Sequence, residues 1–393
     1  MSWRTTWEQI ETFLVEVIQI REPEKIPDRR IRFLLWVLRQ LSRLYGGVVQ
    51  LRHFLYDKGI FRHHTLGCQV ISVGNLTVGG TGKTPVVEVF ARDLQRAGRK
   101  VAILSRGYKK QEPPLLERLL DLLLMRERRR PPRVVSDGRT LLLDSARGGD
   151  EPYMLASNLP DVAVLVDKNR VKSGRYAIDK LGCDTLILDD GFQYRALKHR
   201  VEIVLIDRRN PFGNGYVLPR GLLRESAANL RKADYIILTK CDRRDNAELK
   251  ARIRALNDQA EIIECAHRSR YLRNVFTTAR VELDFLRDLP VTALSGIAAP
   301  EGFEAELERL GARIIRRERF ADHHRYTQQE IIDVINRSRR EGARAIITTE
   351  KDAVRFPRLD RTDVPVFFLR VEIELLSGTE DFNACIARIC FRS

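Results

Sequence analysis

Residues 69–96 carry the feature that most limits what this chain can become. QVISVGN is β-branched and apolar and closes with Gly74 and Asn75, so it reads as a buried strand. Gly79-Gly80-Thr81-Gly82-Lys83-Thr84 follows, and then VVEVFARDLQRAG, a helix stopped at Gly98. A strand, a glycine-rich turn ending in Lys-Thr and a helix are the parts of a phosphate-binding loop. Small residues let backbone N–H groups close around phosphate, Lys83 reaches the β- and γ-phosphates, and Thr84 holds Mg²⁺. The helix N-terminus adds a favourable dipole, and Pro85 suits a first helical turn, where a missing N–H costs nothing. The strict spacing G-x-x-x-x-G-K-[ST] would need a glycine at position 77, where this chain has Thr77. The strand before and the helix after supply the context instead. LILDDGFQ adds an apolar strand ending in Asp189 and Asp190, the position from which a carboxylate holds Mg²⁺ opposite such a loop. Either Asp could be the nearer one; a plain turn at Gly191 is the alternative, and the phosphate loop beside it favours the metal role.

The rest of the chain extends this pattern. KVAILS, DVAVLVD (161–167), DTLILDD (184–190), VEIVLID (201–207) and DYIILT (234–239) are short apolar runs, with helical stretches between several of them. Strands alternating with helices imply a parallel sheet covered on both faces. Past residue 270 a second alternating series runs through VTALSGI, PEGFEAELERLG, RIIRRERF, TQQEIIDVINRSRREG, ARAIITTE and VPVFFLRVEIEL. The expected fold is α/β, a P-loop NTPase-type mainly parallel sheet with helices on both faces, plus a smaller second α/β domain and an N-terminal amphipathic helix. A length of 393 residues accommodates three parts: an N-terminal segment 1–66, a P-loop domain 67–270 and a smaller C-terminal domain 271–393 expected to close over it. A Leu-rich, then Arg-rich stretch at 111–133 interrupts the first series as a helical insert. A lid, a membrane-touching arm, a partner-binding hairpin and a solvated insert without a role all fit it.

Charge narrows the partners. Lys and Arg number 69 against 53 Asp and Glu, a net +16, which attracts phosphate, nucleic acid or anionic lipid. The six Cys include no C-x-x-C pair, so zinc ribbons and thioredoxin-like redox sites find no support and reduced thiols are the default. MSWRTTWEQI has no apolar core of a secretory signal, and nowhere do 18 apolar residues run together. Phe33–Leu38, Leu41, Leu44 and Tyr45, flanked by Arg30, Arg32, Arg39 and Arg43, form a helix suited to lying on a membrane surface or to packing on its own domain.

Six motifs in fixed order resemble the tetraacyldisaccharide 4′-kinase family, the lipid A 4′-kinases of Gram-negative bacteria. They are GN-x(3)-GGTGKTP (Gly74–Pro85), SRGY (Ser105–Tyr108), GDEP (Gly149–Pro152), DDGFQ (Asp189–Gln193), LRE (Leu223–Glu225) and DHH (Asp322–His324). The resemblance implies transfer of the γ-phosphoryl of ATP, with Mg²⁺, to the 4′-hydroxyl of a tetraacylated glucosamine disaccharide 1-phosphate. It also implies a peripheral protein on the cytoplasmic face of the inner membrane, with no nucleic acid and no obligate protein partner. By itself Asp150 reads as a loop carboxylate before a helix, an N-cap or a base. The resemblance makes it the catalytic base, paired with His323, with His324 as the rival. Arg106, Arg170, Arg220 and Arg224 are cations placed to meet ATP or the substrate's phosphate, because a guanidinium fork binds two oxygens at once. Gln193 and Tyr108 are carried over from the motifs, and Lys351 and Asp352 match a family stretch without an evident role. The remaining histidines read as surface or packing residues, and the 111–133 insert departs from the usual family length.

Two competing readings remain on the sequence. ILTKCD (237–242) imitates the guanine-reading T/N-K-x-D segment of a P-loop GTPase or metallochaperone-like protein, but the Asp-x-x-Gly switch fails, with Leu188 three residues before Gly191. A basic protein that binds nucleic acid or membrane with a vestigial nucleotide site lacks any recognisable RNA- or DNA-binding module.

Overall fold

The computed structural model describes residues 20, 28–107, 130–359 and 362–391. In chain order the elements are α1 (Arg29–Asp57), β1 (Gln69–Asn75), α2 (Lys83–Arg96), β2 (Val101–Ser105), β3 (Arg133–Asp137), α3 (Asp150–Asn158), β4 (Ala163–Val166), α4 (Arg170–Leu181) and β5 (Thr185–Asp189). Then follow β6 (Val201–Asp207), β7 (Tyr235–Thr239), α5 (Ala247–Arg254), β8 (Glu261–Asn274), β9 (Arg280–Val281) and β10 (Pro290–Ser295). The last are α6 (Pro300–Arg309), β11 (Arg313–Arg319), α7 (Gln328–Arg340), β12 (Ala345–Thr349), β13 (Val366–Ser377) and α8 (Thr379–Cys390).

These elements form two compact units that interleave along the chain. The first comprises Met1–Ser105, Asn169–Ala266 and Leu375–Ser393; the second comprises Arg106–Lys168 and His267–Glu374. Contiguous boundaries at 67 and 271 do not coincide with these units. The physical reason is long-range pairing inside the second unit: Ser145 Oγ donates to the Val354 carbonyl at 2.6 Å, and Asn158 Nδ2 to Glu350 Oε1 at 2.7 Å. Most of the 111–133 insert lies outside the described residues.

In the first unit the strands run in the order β2-β5-β1-β6-β7-β8, every pair parallel. All residues of β2, β5 and β7 are buried, as a parallel sheet covered on both faces requires. Helix α2 turns Val86, Val87, Phe90, Ala91 and Leu94 inward at helical spacing. Phe90 meets Phe382 of α8 with ring centroids 4.8 Å apart. Two motif glycines are there because backbones approach closely. A Cβ on Gly74 would lie 2.5 Å from Phe192 Cβ, and one on Gly191 would lie 2.5 Å from Ser72 Oγ. These contacts draw the DDGFQ turn onto the end of β1.

Helix α1 is capped by Asp28, whose side chain accepts from the Arg30 N–H. Its Leu35, Ser42 and His53 are buried, while Phe33, Trp36, Leu44 and Val48 face out. The apolar cluster 33–38 therefore divides: Leu35, 2% exposed, belongs to the fold, and Trp36, 58% exposed, does not. No helix among the described residues is long and apolar enough to cross a membrane.

The second unit contains the parallel set β11-β10-β12-β13. It also holds an antiparallel β8–β9 pair and an antiparallel β3–β4 pair. Its strands and helices bury two apolar clusters, one around Leu272, Val291 and Leu307 and one around Leu294, Tyr326 and Val334. A capping box of Thr327 and Glu330 fixes the start of α7, just after the turn that carries His323 and His324.

Candidate active site

In the first unit the carboxyl ends of β1, β5, β6 and β7 lie side by side, the place where open parallel sheets bind ligands. The turn after β1 carries the glycines. Gly79 and Gly82 take left-handed backbone angles (φ 109° and 80°), which cost a residue with a side chain far more than glycine. Gly82 is also the N-cap of α2, so Lys83 and Thr84 open the helix. Two groups on β7 and its end hold the outer side of this turn. Thr239 Oγ1 donates to the Thr81 carbonyl at 2.8 Å, and Lys240 Nζ donates to the Gly80 carbonyl at 2.6 Å while pairing with Asp207. A peptide's C=O and N–H point opposite ways, so pulling the Thr81 carbonyl outward turns the Gly82 N–H into the cradle. Thr81 Oγ1 is buried with no hydrogen-bond partner among the described residues, an orphan that a phosphate oxygen would satisfy.

Lys83 Nζ lies 2.7 Å from Asp190 Oδ1 and 3.1 Å from Asn75 Oδ1. Arg224 Nη1 donates to both Asp190 oxygens at 2.7 Å. Burial alone would raise the Asp190 carboxyl, but Lys83 and Arg224 outweigh it and hold it at about 2. Asp189, buried at the end of β5, accepts from Ser105 Oγ at 2.9 Å. Gln193 Nε2 bridges the Asn75 carbonyl at 3.0 Å and Glu225 Oε1 at 2.8 Å, tying DDGFQ to LRE.

In the second unit Asp150 opens α3 behind Gly149, whose φ of 95° serves as the N-cap conformation. The Asp150 carboxylate is surrounded by donors. Oδ2 faces His323 Nδ1 at 3.2 Å and accepts from Arg355 Nε at 2.8 Å, while Oδ1 accepts from Arg325 Nη2 at 3.2 Å. Burial opposes its ionised form, and His323, Arg355 and Arg325 overcome it, so Asp150 stays below the usual carboxylate range. His323 sits at a left-handed φ of 63°, a strained angle for a residue with a side chain, and its N–H donates to the Gly296 carbonyl. His324 goes elsewhere, to Glu330 at 3.2 Å and onto the Phe320 ring, which separates the two rivals.

Comparison with known proteins follows the same lines. The family profile described as Tetraacyldisaccharide-1-P 4′-kinase (LpxK) matches residues 34–390. The chain belongs to the tetraacyldisaccharide-1-P 4′-kinase family. It is similar to the tetraacyldisaccharide 4′-kinase of Anaeromyxobacter dehalogenans strain 2CP-C, 42% identical over 352 residues, 87% of each chain. It is similar also to that of Halothermothrix orenii, 35% identical over 396 residues, 96% of this chain and 97% of the relative. Among solved structures, LpxK from Aquifex aeolicus in complex with ATP superposes with a TM-score of 0.70 at 30% identity, covering 91% of this chain and all of the other.

Within the 4′-kinase family fold, the residues singled out from sequence go to different places. Gly79–Thr84, Asp189, Asp190, Gln193 and Arg224 gather at one end of the first unit's sheet. Asp150 and His323 meet in the second unit. Arg106 is exposed directly after β2. Arg170 is buried at the start of α4 with its guanidinium 4.6 Å over the Tyr194 ring. Arg220 departs from the expectation of a phosphate contact. Its guanidinium is 1% exposed, stacks on Tyr216 and donates to the Ile20 carbonyl at 2.7 Å, so it supports the loop from beneath. Tyr108 lies outside the described residues. Three residues take roles that the sequence did not assign them. Lys240 braces the phosphate loop, although it stood in the segment that imitates a guanine reader. Asp242 of that segment is paired with Arg208 and Arg244, and the GTPase reading is not favoured. Asp352 is fully buried, accepting from Tyr326 Oη at 3.0 Å and from Arg355. Arg355 itself gave no local signal, being one of many arginines in a basic chain.

Proposed function

We infer that the protein is an ATP-dependent tetraacyldisaccharide 4′-kinase of lipid A biosynthesis, transferring the γ-phosphoryl of ATP to the 4′-hydroxyl of tetraacyldisaccharide 1-phosphate. The observation that carries the site assignment is the pairing of Asp150 with His323 in a chain that also presents a complete phosphate loop. Lys83 and the amides of residues 79–84 hold the phosphates, and Arg224 stands ready to take charge from the transferring group. Mg²⁺ fits this donor set. The Thr84 hydroxyl and one strand-end carboxylate are the few hard oxygen ligands that Mg²⁺ takes alongside phosphate and water. Asp189 is the nearer of the pair in this reading, because Asp190 is engaged by Lys83 and Arg224. Bound there, the ion would neutralise phosphate charge.

The two halves of the dyad divide the work. Both oxygens of Asp150 already accept hydrogen bonds, and an ionised Oδ2 beside Nδ1 requires the proton to sit on Nδ1. That leaves His323 Nε2 with the lone pair. In the reaction the 4′-oxygen forms a bond to the γ-phosphorus, the bond from that phosphorus to the β–γ bridging oxygen breaks, ADP leaves, and the hydroxyl proton passes to Nε2 and on to solvent. Asp150 orients and charge-stabilises the imidazole rather than taking the proton directly.

The acyl chains of such a substrate stay in a bilayer, and α1 offers the means to reach it. Its exposed Phe33, Trp36, Leu44 and Val48 beside a series of arginines make a face for an anionic membrane surface. In this reading the enzyme is peripheral, on the cytoplasmic face of the inner membrane. Radiolabelled ATP incubated with the purified disaccharide 1-phosphate in micelles is expected to yield a labelled lipid; label that never leaves ATP would overturn the reaction. Trp36→Glu with Leu44→Glu is expected to abolish co-sedimentation with anionic vesicles while leaving ATP binding intact. Unchanged sedimentation would overturn the membrane face.

A further inference from the structure

The side chain of Arg355 is 0% exposed, and a buried guanidinium is costly unless its donors are matched. They are matched to the catalytic cluster. Nε donates to Asp150 Oδ2 at 2.8 Å, Nη1 donates to the Gly296 carbonyl and to Asp352 Oδ1, both at 3.2 Å, and Nη2 lies 3.3 Å from His323 Nδ1. Asp352 is itself held by Tyr326 Oη and by Thr349 Oγ1 at 2.6 Å. Gly296 is required at the base of this assembly, since a Cβ there would meet Tyr326 Oη at 2.8 Å and Asp352 Oδ1 at 3.0 Å. The same Gly296 carbonyl that takes Arg355 also takes the His323 N–H. One guanidinium therefore fixes the carboxylate, touches the imidazole and shares the anchor of the imidazole's backbone.

We propose that Arg355 is a positioning residue for phosphoryl transfer: by clamping Asp150 Oδ2 it dictates which nitrogen of His323 keeps a lone pair for the substrate's proton. This rests on the dyad reading above. Among the described residues, Asp150 and Arg355 face His323 Nδ1, with Arg325 behind Asp150, and Asp322 Oδ2 lies 3.8 Å from Nε2. Were Nδ1 to accept from Arg355 Nη2, its lone pair would face the ionised Oδ2 at 3.2 Å, an unfavourable arrangement. With the proton on Nδ1, the His323–Asp150 contact becomes a hydrogen bond, and Arg355 lies alongside without donating to the ring. Arg355 thus acts twice. It supports the ionised form of Asp150, and it holds the carboxylate that in turn fixes the proton on His323 Nδ1.

The test uses full-length enzyme in micelles with ATP and the disaccharide 1-phosphate. Arg355→Met is expected to lower kcat by about tenfold or more, with the KM for ATP unchanged. It should also move the acid limb of the kcat–pH profile to higher pH, because Asp150 loses the cation that helps hold it below the usual carboxylate range. A kcat loss that is uniform across pH, or one matched by an equal rise in the ATP KM, would mean a merely structural role and overturn the proposal. Arg355→Lys keeps the charge but not the planar fork. It is expected to lower kcat without moving the acid limb, and it serves if the Met variant does not fold; full activity in the Lys variant would overturn the clamp. His323→Ala in the same assay separates the two levels of argument. If it retains full kcat, the dyad reading itself fails. If it is inactive while Arg355→Met is normal, only the role of Arg355 fails.

Discussion

Asp190 in the first unit and Asp150 in the second each accept hydrogen bonds from two cationic side chains, but the cations differ in what else they can reach. Asp190 is 29% exposed, and its partners Lys83 and Arg224 sit beside a phosphate loop. A triphosphate is a stronger anion than one carboxylate, so in the proposed function these cations would exchange partners when ATP arrives. Asp150 is 8% exposed, and its closest cation, Arg355, is sealed among Gly296, Asp352 and His323. Nothing in that setting invites exchange. The same ion-pair chemistry thus serves as a loan of charge at one site and as a permanent scaffold at the other.

The scaffold is where the larger effect is expected. Asp150→Asn keeps the size of the side chain but removes the charge that orients His323, and kcat should fall by roughly 10²–10⁴-fold, the usual contribution of a positioned acid–base group. Thermal stabilisation by ATP should be unchanged, since the nucleotide loop belongs to the other unit. A parallel loss of ATP binding would erase the distinction between the two carboxylates. At the exchangeable site, Lys83→Met should lower kcat/KM for ATP by about 10²–10³-fold, as removal of a donor to developing charge does, while the KM for the lipid stays the same.

Acid stability sharpens the comparison from another side. The folded-state pKa of Asp190, about 2, lies below the ordinary carboxylate value near 4. Its contribution is therefore complete above pH ~4 and is lost as the pH falls from there through about 2. Linkage puts it at roughly 2–3 kcal/mol before discounting for partial exposure. Asp150 is depressed in the same direction and adds to the same acid loss. Urea unfolding at pH 5 and pH 3 should show Asp190→Asn narrowing the difference between the two conditions. An Asn variant as acid-sensitive as the parent would show that the Lys83 and Arg224 pairs stabilise nothing.

The two sites also differed in how far they could be read from the chain. The nucleotide loop is local: strand, glycines, Lys83 and Thr84 lie within one run, and each has a reason to be there that needs no tertiary information. The short, nearly all-apolar strands alternating with helices point to the parallel α/β architecture for the same reason. Asp150 and His323 are 173 positions apart, and only their motifs connected them. Arg355 and Asp352 acquire meaning solely from what folds over them. Two sites misled the eye in opposite ways. Leu35 and Trp36 are adjacent and equally apolar, yet helix rotation buries one and exposes the other. Arg220 stands in a Gly- and Pro-rich loop like a ligand cation, but its side chain turns inward under Tyr216. The interleaving of the two units was illegible because pairing of 106–168 with residues beyond 267 leaves no trace in local periodicity.

The smallest expected effect concerns the brace on the exchangeable site. If Lys83 and Arg224 are to trade Asp190 for phosphate, the loop amides must already point inward, and the pull of Thr239 and Lys240 on the Thr81 and Gly80 carbonyls does this. Lys240→Met removes one such bond while keeping the length of the side chain. A single hydrogen bond contributes about 1 kcal/mol net, so the KM for ATP should rise by about fivefold, with kcat and the lipid KM little changed. Thr239→Val should act in the same direction. If Lys240→Met instead lowers kcat at saturating ATP, the brace shapes the reacting geometry and the loop is less exchangeable than its ion pairs suggest. If neither variant changes the ATP KM, the loop holds its shape through its glycines and helix cap alone.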